Sequence, residues 1–111
     1  MSEIKSDRLE MLRSLQRENP EDPFPAYAIA LEYRSAGEQK IALEQLLSLM
    51  EKFPDYLPAY YPAIALQIES GEPEKAMELA RHGISLARAQ NNIKTAGEIK
   101  SLIELEIDDD L

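Results

Sequence analysis

GEQKIALEQLLSLMEKFP, residues 37–54, and GEPEKAMELARHGISLAR, residues 71–88, decide the fold between them. Gly37 and Glu38 return 34 positions later as Gly71 and Glu72, and Ala42, Leu46, Leu49, Met50 and Phe53 return as Ala76, Ala80, Gly83, Ile84 and Ala87. The spacing i, i+4, i+7, i+8, i+11 puts each set on one face of a helix. One step back, Leu12 precedes Leu46, Leu15 precedes Leu49 and Pro20 precedes Pro54. A period of about 34 residues made of two helices is the mark of a stacked helical repeat, in which each pair buries its apolar face against the next. Such arrays are scaffolds for binding. The period therefore names a class of activity and leaves the partner open.

Outward from these stretches, the pattern predicts an all-α chain of about six helices in stacked antiparallel pairs. The first helix, about 6–18, carries Leu9, Leu12 and Leu15 with Ser6 or Ser2 as N-cap, and Asn19 and Pro20 stop it. Asp22 and Pro23 read as the N-cap and first position of a second helix that runs to a left-handed stop at Gly37. A third helix spans about 39–53. The fourth, about 57–70, is apolar all round, so neighbours should cover most of it. Pro62 is awkward within it and predicts either a kink or a late start near Pro58. The fifth helix, about 73–89, opens after Gly71 with a proline in its first turn. Asn91 and Asn92 cap a last helix of about 93–106 with Ile99, Leu102, Ile103 and Glu106 on neighbouring rows. The whole reads as one domain over 1–111. Its parts are an N-terminal helix over 1–20, two repeats over 21–54 and 55–90, a capping helix over 91–107 and an acidic tail over 108–111.

Composition narrows the function classes. The formal charge is −9, with 21 acidic against 12 basic side chains, and this average field repels nucleic acid and anionic lipid. The chain has no cysteine, so disulfides and thiolate metal sites are excluded. The polar start from Met1 to Lys5 lacks the apolar core of a secretory signal. The longest uncharged run, Tyr56 to Ile68, is too short to span a bilayer. These features predict a cytoplasmic protein that binds neither membrane nor nucleic acid.

Ala30, Tyr33, Gly37, Ala42 and Pro54 form a pattern that resembles the tetratricopeptide-repeat family: a small residue and then an aromatic in the first helix, a turn glycine, an alanine in the second helix and a closing proline. The next copy keeps Tyr60, Gly71, Ala76 and Ala80 but has Ile64 for the small residue, Gln67 for the aromatic and Arg88 for the proline. These departures imply looser packing at Ile64 and a longer fifth helix. The resemblance implies a right-handed superhelix whose first helices line a concave groove that holds a peptide or a partner helix. On that analogy the inward positions are Phe24, Tyr27, Leu31 and Arg34, then Tyr61, Ala65 and Ile68. One branch of the family clamps C-terminal carboxylates with lysine and asparagine at such positions. Here Tyr27, Leu31, Tyr61, Pro62 and Ala65 stand there, which argues against that ligand.

Tyr27, Tyr60 and Tyr61 suit a stacking platform for a ligand, but Tyr60 and part of Tyr27 equally suit the core. A short apolar groove also suits a second copy of the chain, so a homodimer formed through the apolar fourth helix and the exposed end of the last helix is the rival expectation. His82, the one histidine, has no nucleophile arranged around it. The acidic clusters Glu69, Glu72, Glu74 and Asp108 to Asp110 lack the ligand order of a calcium loop. No catalytic, cofactor or metal site is expected; the sequence points to a non-enzymatic adaptor.

Overall fold

Ser6 is extended (φ −154°, ψ 148°) and its hydroxyl accepts the Leu9 N–H at 2.9 Å, so the first helix begins at the next residue. In this computed structural model, which describes residues 6–106, the elements are α1 Asp7–Glu18, α2 Phe24–Ser35, α3 Gln39–Lys52, a 3₁₀ turn Leu57–Ala59, α4 Tyr60–Glu69, α5 Pro73–Ala89 and α6 Ile93–Glu106. The described residues are thus all-helical outside their loops, as the repeat pattern predicts. Ser2, the alternative cap, and the acidic tail over 108–111 lie outside them.

The chain divides after Pro54 into two compact units. In the first, α2 packs against both α1 and α3; in the second, α5 packs against both α4 and α6, and α6 also reaches α4. Each unit turns on one glycine. Gly37 has φ +83° and Gly71 φ +79°, in the left-handed region that costs other residues roughly 1 kcal/mol or more. The N–H of Glu38 then donates to the Tyr33 carbonyl and that of Glu72 to the Gln67 carbonyl, both at 2.9 Å. These are the six-to-one bonds that satisfy orphan carbonyls at a helix end.

The two proline-terminated exits also match. Asn19 (φ −132°, ψ 70°) and Phe53 (φ −129°, ψ 74°), 34 residues apart, each donate an N–H to the carbonyl four residues back, Leu15 at 2.9 Å and Leu49 at 2.8 Å. Arg88 stands where the next proline would be, and without that block α5 runs on for 17 residues, against 14 in α3. It ends at Asn91, which takes φ +60° while the Asn92 N–H donates to the Ala87 carbonyl at 2.7 Å. The Asn92 side chain accepts the Thr95 N–H at 3.0 Å and opens α6. The two asparagines thus divide the work: the first closes one helix and the second starts another.

Side chains tie each second helix back to the segment before its partner. Lys52 Nζ donates to the Pro20 carbonyl at 3.2 Å, and Gln90 Nε2 donates to the Asp55 carbonyl at 2.8 Å. Pro62 delays its helix. The 3₁₀ turn takes up Leu57–Ala59, α4 starts at Tyr60, and the proline falls in the first turn, where no intrahelical partner for its nitrogen is needed.

The core of the first unit joins Leu9 and Leu12 to Ala28 and Ile29, with Tyr33 against them. Leu15, expected on the same face, is exposed. A step of three residues falls 60° short of a full helical turn, so two such steps carry Leu15 about 120° round from Leu9. In the second unit the closest approach is at Gly83. A Cβ there would meet Ile99 Cδ1 at 3.1 Å and Tyr60 Cδ2 at 3.2 Å, from α6 and α4. Both neighbours are buried and stand on different helices, so they cannot both give way. Gly97, in α6, has nothing within 4 Å of its would-be Cβ.

Replacing glycine by alanine inside a helix gains about 0.8–1 kcal/mol of propensity at either site, and overpacking costs typically 1–3 kcal/mol where there is no room. Gly97→Ala should therefore stabilise the protein by up to about 1 kcal/mol. Gly83→Ala should destabilise it by about 1 kcal/mol net. Urea denaturation of the two variants beside wild type tests the pair, and equal shifts of one sign would refute the close approach at Gly83.

Candidate functional site

Asp22 Oδ1 accepts the Phe24 N–H at 3.0 Å, and Pro23 already has helical angles (φ −72°, ψ −18°), which fixes the register of α2 from its first turn. Phe24, Tyr27, Leu31 and Arg34 follow at i, i+3, i+7 and i+10 and share one face. Phe24 is 48% exposed, and the other three are half-buried. The residues between them, Pro25, Ala28, Ile29 and Ala30, are buried. An apolar strip thus runs along one side of α2 with Arg34 at its C-terminal end.

The corresponding positions of α4 differ. Tyr61 is exposed and Ile68 half-buried, but Ala65 is buried, so only the first two present side chains at the surface. Most of α4 is covered, from Tyr60 and Pro62 through Gln67. The expectation that neighbours enclose this helix therefore holds.

Tyr60 belongs to the core. It is 2% exposed, and its ring lies 6.0 Å from that of His82 at an interplanar angle of 54°. His82 itself is exposed. Glu72 of the acidic cluster pairs with Lys75 at 2.9 Å, and among the described residues no group of three or more histidine and carboxylate side chains is placed to hold a metal ion. No helix of the described residues is long and apolar enough to cross a membrane.

Two further surfaces lie outside the strip. Ile93 and Leu105 of α6 are 69% and 80% exposed, beside the buried Ala96, Ile99 and Ile103. Twelve residues carry a helix about 120° beyond whole turns, so the two side chains do not share a row. Arg81, Ser85 and Arg88 of α5 also line a cavity of about 310 Å³ with Ile84 and with Lys100 of α6. The first three positions are readable as one helix face; Lys100 joins them only through folding.

No protein-family model matches the chain, and no curated protein is similar to it at a significant level. Among solved structures, it is similar to the solution NMR structure of a tetratricopeptide repeat domain protein from Salinibacter ruber, with 31% identity over 76% of this chain and 85% of that one and a TM-score of 0.70. The chain belongs to the tetratricopeptide-repeat family. Its tetratricopeptide pattern residues have visible physical roles. Ala30 and Ala42 are fully buried where α2 meets its neighbours, and Ala76 and Ala80 are fully buried on α5. Gly37 and Gly71 make the left-handed turns. Tyr33 packs on the first unit's core while its hydroxyl accepts a hydrogen bond from Arg13 Nη2 at 2.8 Å. Family membership makes this chain a helical-repeat interaction module.

Burial, and secondarily the carboxylate of Asp55, push the Tyr60 phenol above its ordinary value near 10. Both effects oppose phenolate in the folded state. The unfolded chain therefore loses this proton more readily, and the contribution, complete below pH 10, declines as pH rises through the folded-state value. Wild type should lose stability more steeply than Tyr60→Phe above pH 10. Denaturation midpoints measured from pH 8 to pH 11 check this, and parallel curves would count against it.

Proposed function

We propose that the chain is a non-enzymatic adaptor of the cytoplasm that holds a peptide or a partner helix against the apolar strip of α2, formed by Phe24, Tyr27 and Leu31 with Arg34 at its end; Tyr61 and Ile68 of α4 offer a second, smaller apolar surface. The single observation that carries the proposal is the exposure of a phenylalanine and a tyrosine, Phe24 and Tyr61, at first-helix positions of a tetratricopeptide chain. Rigid aromatic side chains give large contact area at small entropic cost, which is why they dominate binding hot spots. The absence of cysteine from the sequence supports a reducing compartment. The test is affinity capture from lysate of the source organism, comparing wild type with a folded Tyr27→Ala, Tyr61→Ala double variant. Partners retained by wild type should be lost from the variant, a loss of 2 kcal/mol or more at a hot spot corresponding to about thirtyfold in affinity. Identical profiles would end the proposal.

Self-association is the second reading, supported by Ile93 and Leu105, the most exposed of the large apolar side chains. The covered state of α4 removes that helix as the main dimer surface and leaves α6. A dimer built on α6 should dissociate in an Ile93→Gln, Leu105→Gln variant. Light scattering across a concentration series decides the matter: a monomer at every concentration of wild type excludes this reading.

A further inference from the structure

Arg81, Ser85 and Arg88 lie at i, i+4 and i+7 on α5, one face of the helix, and Lys100 of α6 closes the same cavity of about 310 Å³ over the buried side chain of Ile84. Three cations gathered at one concavity stand out in a chain of net charge −9. Other basic side chains have found partners: Arg8 binds Glu32 at 2.8 Å, Arg13 the Tyr33 hydroxyl, Lys52 the Pro20 carbonyl and Lys75 Glu72. No ion pair joins Arg81, Arg88 or Lys100 to an acidic side chain among the described residues. Cations that line one concavity present a positive surface to an anion that enters it. Two guanidinium forks and an ammonium can only donate and the hydroxyl can donate as well, which suits the acceptor oxygens an anion brings, and the forks match carboxylates in bidentate geometry.

We infer that this cavity is a second docking surface, and that its occupant is an acidic segment of a partner protein. Charge complementarity selects the occupant. Arg81 and Arg88 stand two helical turns apart, roughly 10 Å along the axis, so the segment that fits carries two carboxylates about that far apart, as glutamates at i and i+7 of a helix do. Ile84 forms the apolar floor of the cavity, and the charged side chains around it are exposed, so their interactions weaken as salt rises. The surface is built from α5 and α6 and uses none of the strip residues of α2 and α4.

The experiment is a fluorescence-anisotropy titration of the full chain with a short labelled helical peptide bearing glutamates at i and i+7, and with its glutamine counterpart. Wild type should bind the glutamate peptide and weaken as salt rises. The Arg81→Gln, Arg88→Gln variant, shown by circular dichroism to keep its helix content, should bind about tenfold or more weakly, while Tyr27→Ala, Tyr61→Ala should bind as wild type does. Equal binding of both peptides, or an affinity indifferent to the arginines, would overturn the inference. Binding that appears only when the chain is stopped after Glu106 would give the cavity to the protein's own acidic end and overturn its assignment to a partner.

Discussion

Close approach of helices at small side chains is the constraint on which the rest of this protein depends. Ala30 and Ala42 in the first unit and Ala63, Ala76, Ala80 and Ala87 in the second are fully buried, though each contributes little area of its own. Their value is geometric. A methyl group at a contact lets two backbones come near, Leu46 in the first unit and Ile64, Leu66 and Ile99 in the second are fully buried, and interiors packed to that density tolerate neither a missing nor an added carbon well. Gly83 carries the same logic to its limit, with Tyr60 and Ile99 occupying the space a side chain would need.

The turns decide which faces remain for function. Left-handed glycines at 37 and 71 return each second helix along its partner, and the capping bonds from Glu38 and Glu72 hold that return in place. A helix covered on two sides retains one further stripe. On α2 it is the row from Phe24 to Arg34, because α1 and α3 take up the other faces. On α4 the stripe narrows to Tyr61 and Ile68, since α5, α6 and the preceding 3₁₀ turn enclose most of the ten-residue helix. Packing within each unit thus determines how much apolar surface each can offer.

Most of this architecture was legible in the sequence because it rests on local chemistry. Turn glycines, proline stops and the Ser6 cap act through the backbone within a few residues, and each stands where its spacing placed it; Asp22 was read as the N-cap of α2, but that place falls to Pro23 and the helix begins at Phe24. What was misread depends on contacts made elsewhere. Leu15 looked like a third core leucine, yet its angle to Leu9 turns it outward. Ala65 looked like a groove position, but a side chain that small is hidden by its larger neighbours. Asn91 could be read as a cap, though not as the left-handed end of α5, since that end is set by the helix overrunning the missing proline. Gln67, standing where Tyr33 stands one repeat earlier, is buried with its Oε1 unpartnered, and no local pattern foretells the cost of such a group. Lys100 is separated from Arg88 by a loop and half a helix, so the basic cavity was invisible before folding.

The two kinds of surface follow different physics. Affinity at Phe24, Tyr27 and Tyr61 grows with buried apolar area, which salt hardly weakens and can strengthen. Affinity at Arg81, Arg88 and Lys100 comes from exposed charges, whose interaction is screened within about 8 Å at physiological ionic strength. The field of a chain carrying nine excess negative charges opposes the approach of an acidic segment from a distance. Attraction to the cavity then operates mainly at short range. A partner engaged first through an apolar anchor would supply that proximity, converting the second contact into an intramolecular event with a high effective concentration. Under this arrangement an acidic segment linked to the anchored partner is retained more strongly than the same segment as a free peptide.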